Sequence, residues 1–105
     1  MNAHLECSKY PPHHFFGTRF IGQQMRGELE ALLDQNQNVE VDFTGLNATQ
    51  SFIDEMIGVL VLRYGPAVLH RLSFKGCNED IRTILHFVVS SRLADHEASK
   101  QASTH

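Results

Sequence analysis

Tryptophan is absent from this chain, and its 105 residues include only two cysteines, three prolines and two tyrosines. Cys7 and Cys77 are far apart and sit in unlike surroundings, which argues against a disulfide framework or a CxxC site, so both read as free thiols. There is no excess of basic charge. Nine Lys and Arg face twelve Asp and Glu, a formal net charge of −3 with neutral His, and the basic residues are scattered rather than gathered into a stripe. Nucleic acid is therefore not an expected partner. The longest apolar stretch, Met56 to Leu62, is interrupted by Gly58 and falls far short of the roughly 20 residues that cross a bilayer, so no membrane span is expected. The N-terminus, with Glu6 and the Pro11-Pro12 pair, lacks the basic-then-apolar layout of a secretory signal, and a cytoplasmic location is expected. GxSxG, HExxH, GxxxxGK[ST] and GxGxxG are all missing, so the reading is of a protein without catalytic activity or cofactor.

An apolar share of 42% and a charged share of 20% are those of an ordinary globular chain. One domain of this size buries roughly 65% of its unfolded surface, enough for a single core. Three stretches are expected: an N-terminal segment over 1–17, in which Tyr10, Phe15 and Phe16 suit a short strand added to a sheet edge; a folded body over 18–93; and a polar, aperiodic, flexible tail over 94–105.

From Thr18, a good N-cap, Ile21, Met25, Leu29, Leu32 and Leu33 recur on one helical face up to the Gln-Asn-rich turn at Gln35 to Asn38. Val39-Glu-Val-Asp-Phe43 then alternates with the period of a strand and is closed by Gly45. A polar loop leads into Phe52 to Tyr64, so apolar that this helix must be mostly buried, and Gly65-Pro66 marks its end. Arg71-Leu-Ser-Phe-Lys75 is a second alternating run, stopped by Gly76, and a last helix from Asn78 carries Ile81, Ile84, Leu85, Val88 and Val89 as its core stripe. Strand, helix, strand is a βαβ unit, so the fold class is α/β: a small, mostly parallel sheet packed by about three helices.

In such sheets, ligands and partners meet the carboxyl ends of the strands. That rule selects the loop Thr44 to Ser51 and the loop Lys75-Gly-Cys-Asn78 beside it, and makes Thr44, Asn47, Thr49, Gln50, Ser51, Lys75, Cys77 and Asn78 the candidate binding residues. Ser51-Phe-Ile-Asp54 is nearly a capping box, which gives Ser51 a structural role as helix cap. The functional alternative is that Ser51 or Thr49 accepts a phosphate, which a helix N-terminus would stabilise. Lys75 also reads as the outward residue of an edge strand, and Cys77 as a small buried filler behind Gly76. His4, Cys7, His13 and His14 are metal-ligand types, but their spacing matches no structural zinc site, and surface histidines are the expectation, with His70 and His86 at element ends or on exposed faces.

Val41-Asp-Phe-Thr-Gly45, Ser51-Phe-Ile-Asp-Glu55 and Phe74-Lys-Gly-Cys-Asn-Glu-Asp-Ile81, with Gly17-Thr18-Arg19 at the start of the first helix, resemble the bacterial STAS-like domain family over about residues 14–92. That family is similar in fold to the STAS domains of anti-sigma factor antagonists, whose strand-to-helix loop bears a phosphorylatable Ser or Thr and docks a kinase-like partner. The resemblance implies a regulatory docking module, with the loop at Asn47 to Ser51. The antagonists' Asp-Ser-Ser-Gly type of motif is replaced here by Gln50-Ser-Phe-Ile53, without the acidic residue or the glycine. The other function classes are a small-ligand or nucleotide sensor, in which loop amides and Lys75 recognise an anion, and a homodimerising structural protein.

Overall fold

A computed structural model describes residues 2–9, 15–16 and 19–102 of the chain. In chain order the elements are β1 (Asn2–Glu6), a 3-10 turn (Cys7–Lys9), β2 (Phe15–Phe16), α1 (Arg19–Gln35), β3 (Asn38–Asp42), β4 (Asn47–Ala48), α2 (Gln50–Ile53), a π-helical turn (Asp54–Gly58), α3 (Val59–Tyr64), α4 (Pro66–Leu69), β5 (Leu72–Lys75) and α5 (Glu79–Ala102). Thr18, expected as the cap of α1, lies outside the described residues, as do Tyr10, His13 and His14. No helix among the described residues is long and apolar enough to cross a membrane.

The expected α/β architecture is present: a three-stranded sheet of order β1-β3-β5, parallel throughout, with several helices. Leu5 aligns with Val41, and Val41 with Phe74, so alternate residues of all three strands share a face. Leu5, Val39 and Val41 are buried on that face, with Leu72 and Phe74 half-buried at its edge. The opposite face carries His4, Glu40, Asp42, Ser73 and Lys75, all exposed or half-exposed. This bare polar face explains why strands of a parallel sheet alternate in sequence, whereas sheets covered on both sides read as continuous apolar runs.

The N-terminal segment departs from expectation. The strand that joins the main sheet is Asn2–Glu6, beside β3, while Phe15–Phe16 pairs with Asn47–Ala48 in a separate two-stranded parallel ladder. The long-range partner β3 decides this placement, because Leu5 alone of β1 is fully buried.

The helix from Gln50 to Tyr64 is the central packing element. Phe52, Met56 and Leu60 form one row and Ile53, Ile57 and Val61 another, each spaced by four, and all six are 0% exposed. In an α-helix a step of four residues overshoots one turn by about 40°, so two steps would rotate the rows about 80° away from the core. The π turn, in which the Val59 amide donates to the Asp54 carbonyl, accommodates more residues per turn and brings both rows back to one face. Helix α1 crosses closely at Gly22, where a Cβ would stand 2.8 Å from both Glu55 Cβ and the Phe52 carbonyl oxygen. Helix α5 packs against the other side, with Val88 and Arg92 over Gly58.

Two ends are fixed by long-range contacts. The Arg71 guanidinium donates to the carbonyls of Leu33 (2.5 Å), Asn36 (2.8 Å) and Gln37 (3.0 Å), satisfying orphan acceptors at and just beyond the end of α1 and placing positive charge at the negative end of its dipole. Helix α5 does not stop near Leu93 but runs to Ala102, correcting the expected flexible tail. Ala, Glu and Lys in this stretch are good helix formers. Arg92 and Asp95 pair at 3.7 Å, and His96 Nδ1 donates to the Leu62 carbonyl at 2.8 Å. The His96 ring lies where a Cβ on Gly65 would be, and Gly65 has φ of 68°.

Candidate functional site at the carboxyl edge of the sheet

Strand β3 leads into the fully buried Phe43, then a turn in which the Asp42 carboxylate accepts from the Thr44 amide (2.9 Å) and hydroxyl (2.5 Å). These bonds, the hydroxyl first, hold the Asp42 carboxyl below its ordinary range. The Leu46 amide closes the turn on the Phe43 carbonyl at 3.1 Å, and Leu46 buries its side chain beneath it. Across the sheet, the Phe43 amide donates to the Lys75 carbonyl at 2.8 Å. Gly76, with φ of 67°, presses on Thr44; a Cβ there would lie 2.7 Å from the Thr44 nitrogen. Asn78 ties the two loops together: Nδ2 donates to the Leu46 carbonyl (3.2 Å) and Oδ1 accepts from the Ile81 amide (2.8 Å), which caps α5.

The structure thus brings the loops after β3 and β5 side by side. Thr44, Asn47, Gln50, Lys75 and Asn78 are exposed along this rim, while Thr49, Ser51 and Cys77 are half-buried. The cap of α2 is Thr49, not Ser51. Thr49 has extended φ and ψ of −86° and 162°, and its hydroxyl oxygen accepts from the Phe52 amide at 3.2 Å. Ser51 stands inside the first turn, so the near capping box that begins at Ser51 is out of register by two residues.

Two cysteines adjoin this edge. Burial, and then the charge of Asp42, push the Cys7 thiol up to about 12, and burial raises Cys77 as well. Both are free thiols, and neither is poised as a thiolate at neutral pH. On the open sheet face, His4 lies 3.3 Å from Asp42 and 3.7 Å from Glu40. Among the described residues, no three His, Cys, Asp or Glu side chains are grouped to hold a metal ion. His70 and His86 are exposed.

A belt of ion pairs around the π turn was not read from the sequence. Arg92 grips Asp54 with two bonds, Arg19 reaches both Asp54 (3.5 Å) and Glu55 (3.2 Å), and Arg26 donates to the Glu55 carbonyl (2.7 Å) and carboxylate (3.1 Å). The available signal was Asp54-Glu55 standing between two apolar pairs of a buried helix, since half-buried carboxylates require cationic partners.

The model of one protein family, the STAS-like domain of unknown function (DUF4325), matches residues 22–82. The chain belongs to that family. No curated protein and no solved structure gives a significant match. The region matched by the STAS-like model runs from Gly22 in α1 to the first turn of α5 and so contains both rim loops, whereas β1 and most of α5 lie outside it.

Proposed function

We propose that this STAS-like domain is a non-enzymatic bacterial regulatory module, acting in the cytoplasm, that docks a protein partner through the loop 44–51 together with Lys75, Cys77 and Asn78. The observation that carries this reading is the exposed polar rim of Thr44, Asn47, Gln50, Lys75 and Asn78, anchored in the chain by the fully buried Phe43, Leu46 and Phe52. Such a rim offers a partner fixed donors and acceptors on a rigid base, with little ordering cost on binding.

An anion-sensing role for the same edge is less well supported. The Phe52 and Ile81 amides are already occupied by Thr49 and Asn78, and the first turn of α5 carries Glu79 and Asp80. Those carboxylates oppose a bound anion, and of the two cations at this edge, Lys75 and Arg82, the second already donates to the Cys77 carbonyl at 3.3 Å. For a phosphate switch set by a kinase-like partner, Ser51 is the better acceptor of the two hydroxyls. The Thr49 oxygen is engaged as a cap, whereas a phosphate on Ser51 would add charge at the rim without removing that cap.

The test is site-specific photo-crosslinking in the native cells, with the photoreactive residue at Asn47 or, as control, at the exposed Glu28 of α1. The docking reading expects one dominant protein adduct from position 47 that is absent from position 28 and is reduced by Ser51→Asp. Identical adducts from both positions would refute it, and an adduct only with a second copy of the chain would reassign the rim to self-association.

A further inference from the structure

Strand β5 is an edge of the main sheet: it pairs with β3, and among the described residues no strand pairs with its other side. The Val39 amide donates to the Arg71 carbonyl and the Phe43 amide to the Lys75 carbonyl, each at 2.8 Å, so the alternate residues Arg71, Ser73 and Lys75 turn their main chain toward β3. The amides and carbonyls of Leu72 and Phe74 therefore point outward from the sheet. Their side chains distinguish this edge from the other. Leu5 of β1, in the same row as Val41 and Phe74, is 2% exposed, whereas Leu72 and Phe74 are only half-buried, although the Phe74 ring stacks on Phe43 at 6.3 Å. The helix layer thus covers Leu5 and leaves the apolar side of β5 partly open beside its unpaired backbone. Neither a proline nor a bulge, the devices that often blunt such an edge, interrupts β5.

Charge selects the occupant. Lys75 stands on the open face of the sheet opposite Asp42, but that carboxylate is engaged by Thr44 and His4, and the Lys75 ammonium makes no ion pair among the described residues. Glu79 and Asp80 belong to the helix layer on the other face. A second copy suits this edge poorly: antiparallel pairing of two β5 strands through Leu72 and Phe74 sets Arg71 opposite Lys75, and like charges across a strand pair repel. An acidic strand meets the opposite condition. On its inner edge β5 already takes such a strand, Val39-Glu-Val-Asp42, in parallel register with Asp42 opposite Lys75, and the outer edge presents the same alternation of side chains.

We propose that the outer edge of β5 binds an extended acidic segment of a partner protein as an added parallel strand, with apolar side chains beside Leu72 and Phe74 and a carboxylate beside Lys75. Main-chain bonds supply affinity in this mode of recognition and the alternate side chains supply specificity. Lys75 is shared with the docking rim, but the outward groups of Leu72 and Phe74 are not, so the inference stands even where the rim docks nothing.

The experiment titrates the full chain, followed by backbone amide resonances, with the capped peptide Thr-Val-Thr-Val-Asp-Thr up to millimolar concentration. Two further peptides serve as controls, one with Lys in place of Asp and one with the Asp amide methylated, which removes the donor to the Phe74 carbonyl. The acidic peptide is expected to give saturable shifts over Leu72–Lys75 and none over Asn2–Glu6, and to slow hydrogen exchange of the Leu72 and Phe74 amides. The Lys peptide should bind about fivefold more weakly, as exchange of an opposite for a like cross-strand charge does, and Lys75→Glu should invert that preference. The methylated peptide should give no response. Absence of shifts at millimolar peptide, shifts centred on residues 44–51 or on β1, equal binding of the acidic and Lys peptides, or binding that survives methylation would each overturn the proposal.

Discussion

Arg92 holds Asp54 through two parallel hydrogen bonds, Nε to Oδ1 at 2.8 Å and Nη2 to Oδ2 at 2.7 Å, and so joins α5 to the π turn of the central helix. The fork-on-carboxylate geometry is the strong form of this pair, and both side chains are largely withdrawn from water, at 16% exposure for Asp54 and 27% for Arg92. Arg19 approaches the same carboxylate from α1, so one acidic residue links the three helical segments.

That linkage depends on pH. The Arg92 hydrogen bonds hold the Asp54 carboxyl below its ordinary range. A carboxyl depressed in the folded state stabilises fully above its unfolded value, about 3.9, and that stabilisation is lost as pH falls through the lower folded value. Asp54→Asn is expected to cost about 1–3 kcal/mol at pH 7. In urea unfolding the gap between the parent and the variant should narrow as pH falls below about 4, within the acid range set by that depressed carboxyl. Asp42 is depressed too, so the variant retains some acid sensitivity of its own. A gap that stays constant down to pH 2 would show that the pair does not stabilise through its charge.

Two glycines of α1 should respond to alanine in opposite directions. A Cβ on Gly27 meets nothing within 4 Å, so Gly27→Ala recovers helix propensity and should stabilise by about 0.5–1 kcal/mol. At Gly22 the added carbon would collide with Glu55 Cβ and with main chain at Phe52, forcing α1 away from the central helix. Gly22→Ala should lower the unfolding midpoint, and the two variants measured together separate propensity from close approach.

The caps at the candidate site make a third comparison. Thr49→Ala removes the acceptor for the Phe52 amide and is expected to cost about 1 kcal/mol, as loss of an N-cap generally does. Ser51→Ala lies inside the first turn and should change stability by less than about 0.5 kcal/mol. If the two costs were reversed in chemical denaturation, Ser51 would be the cap after all.

What was readable in the sequence follows from how local each signal is. The alternation in Val39 to Phe43 and Arg71 to Lys75 gave β3 and β5 within a residue, because the sheet keeps one polar face. Gly65-Pro66 marked the helix end, and Gly65 does carry the positive φ. The rule that loops meet at the carboxyl edge put the loop 44–51 beside the loop 75–78, and they do meet, where Gly76 presses on Thr44 and Asn78 bonds the Leu46 carbonyl. Features that depend on distant partners were not readable. Strand β1 is placed by β3, the length of α5 by the contact of His96 with Leu62, and the π turn by packing on both sides. The cap could not be assigned locally, since Thr49 and Ser51 both offer a hydroxyl within a few residues of the helix start.

The two thiols offer a probe of the candidate site in its native state. Cys7 is fully buried and its thiol is pushed up to about 12, so almost none is thiolate at pH 8, and reaction requires the fold to open. Cys77 is only half-buried at the end of β5, raised by burial but reachable from the rim. A thiol-reactive probe at pH 8 should therefore modify Cys77 slowly and first, and Cys7 only at the rate of unfolding, with both becoming equivalent in denaturant. A protein partner seated on the rim would slow Cys77 further without changing Cys7, so the labelling rate of this one residue reports occupancy of the carboxyl edge. Rapid native labelling of Cys7 would mean instead that β1 and its following turn open far more often than the burial of Leu5 and Cys7 allows.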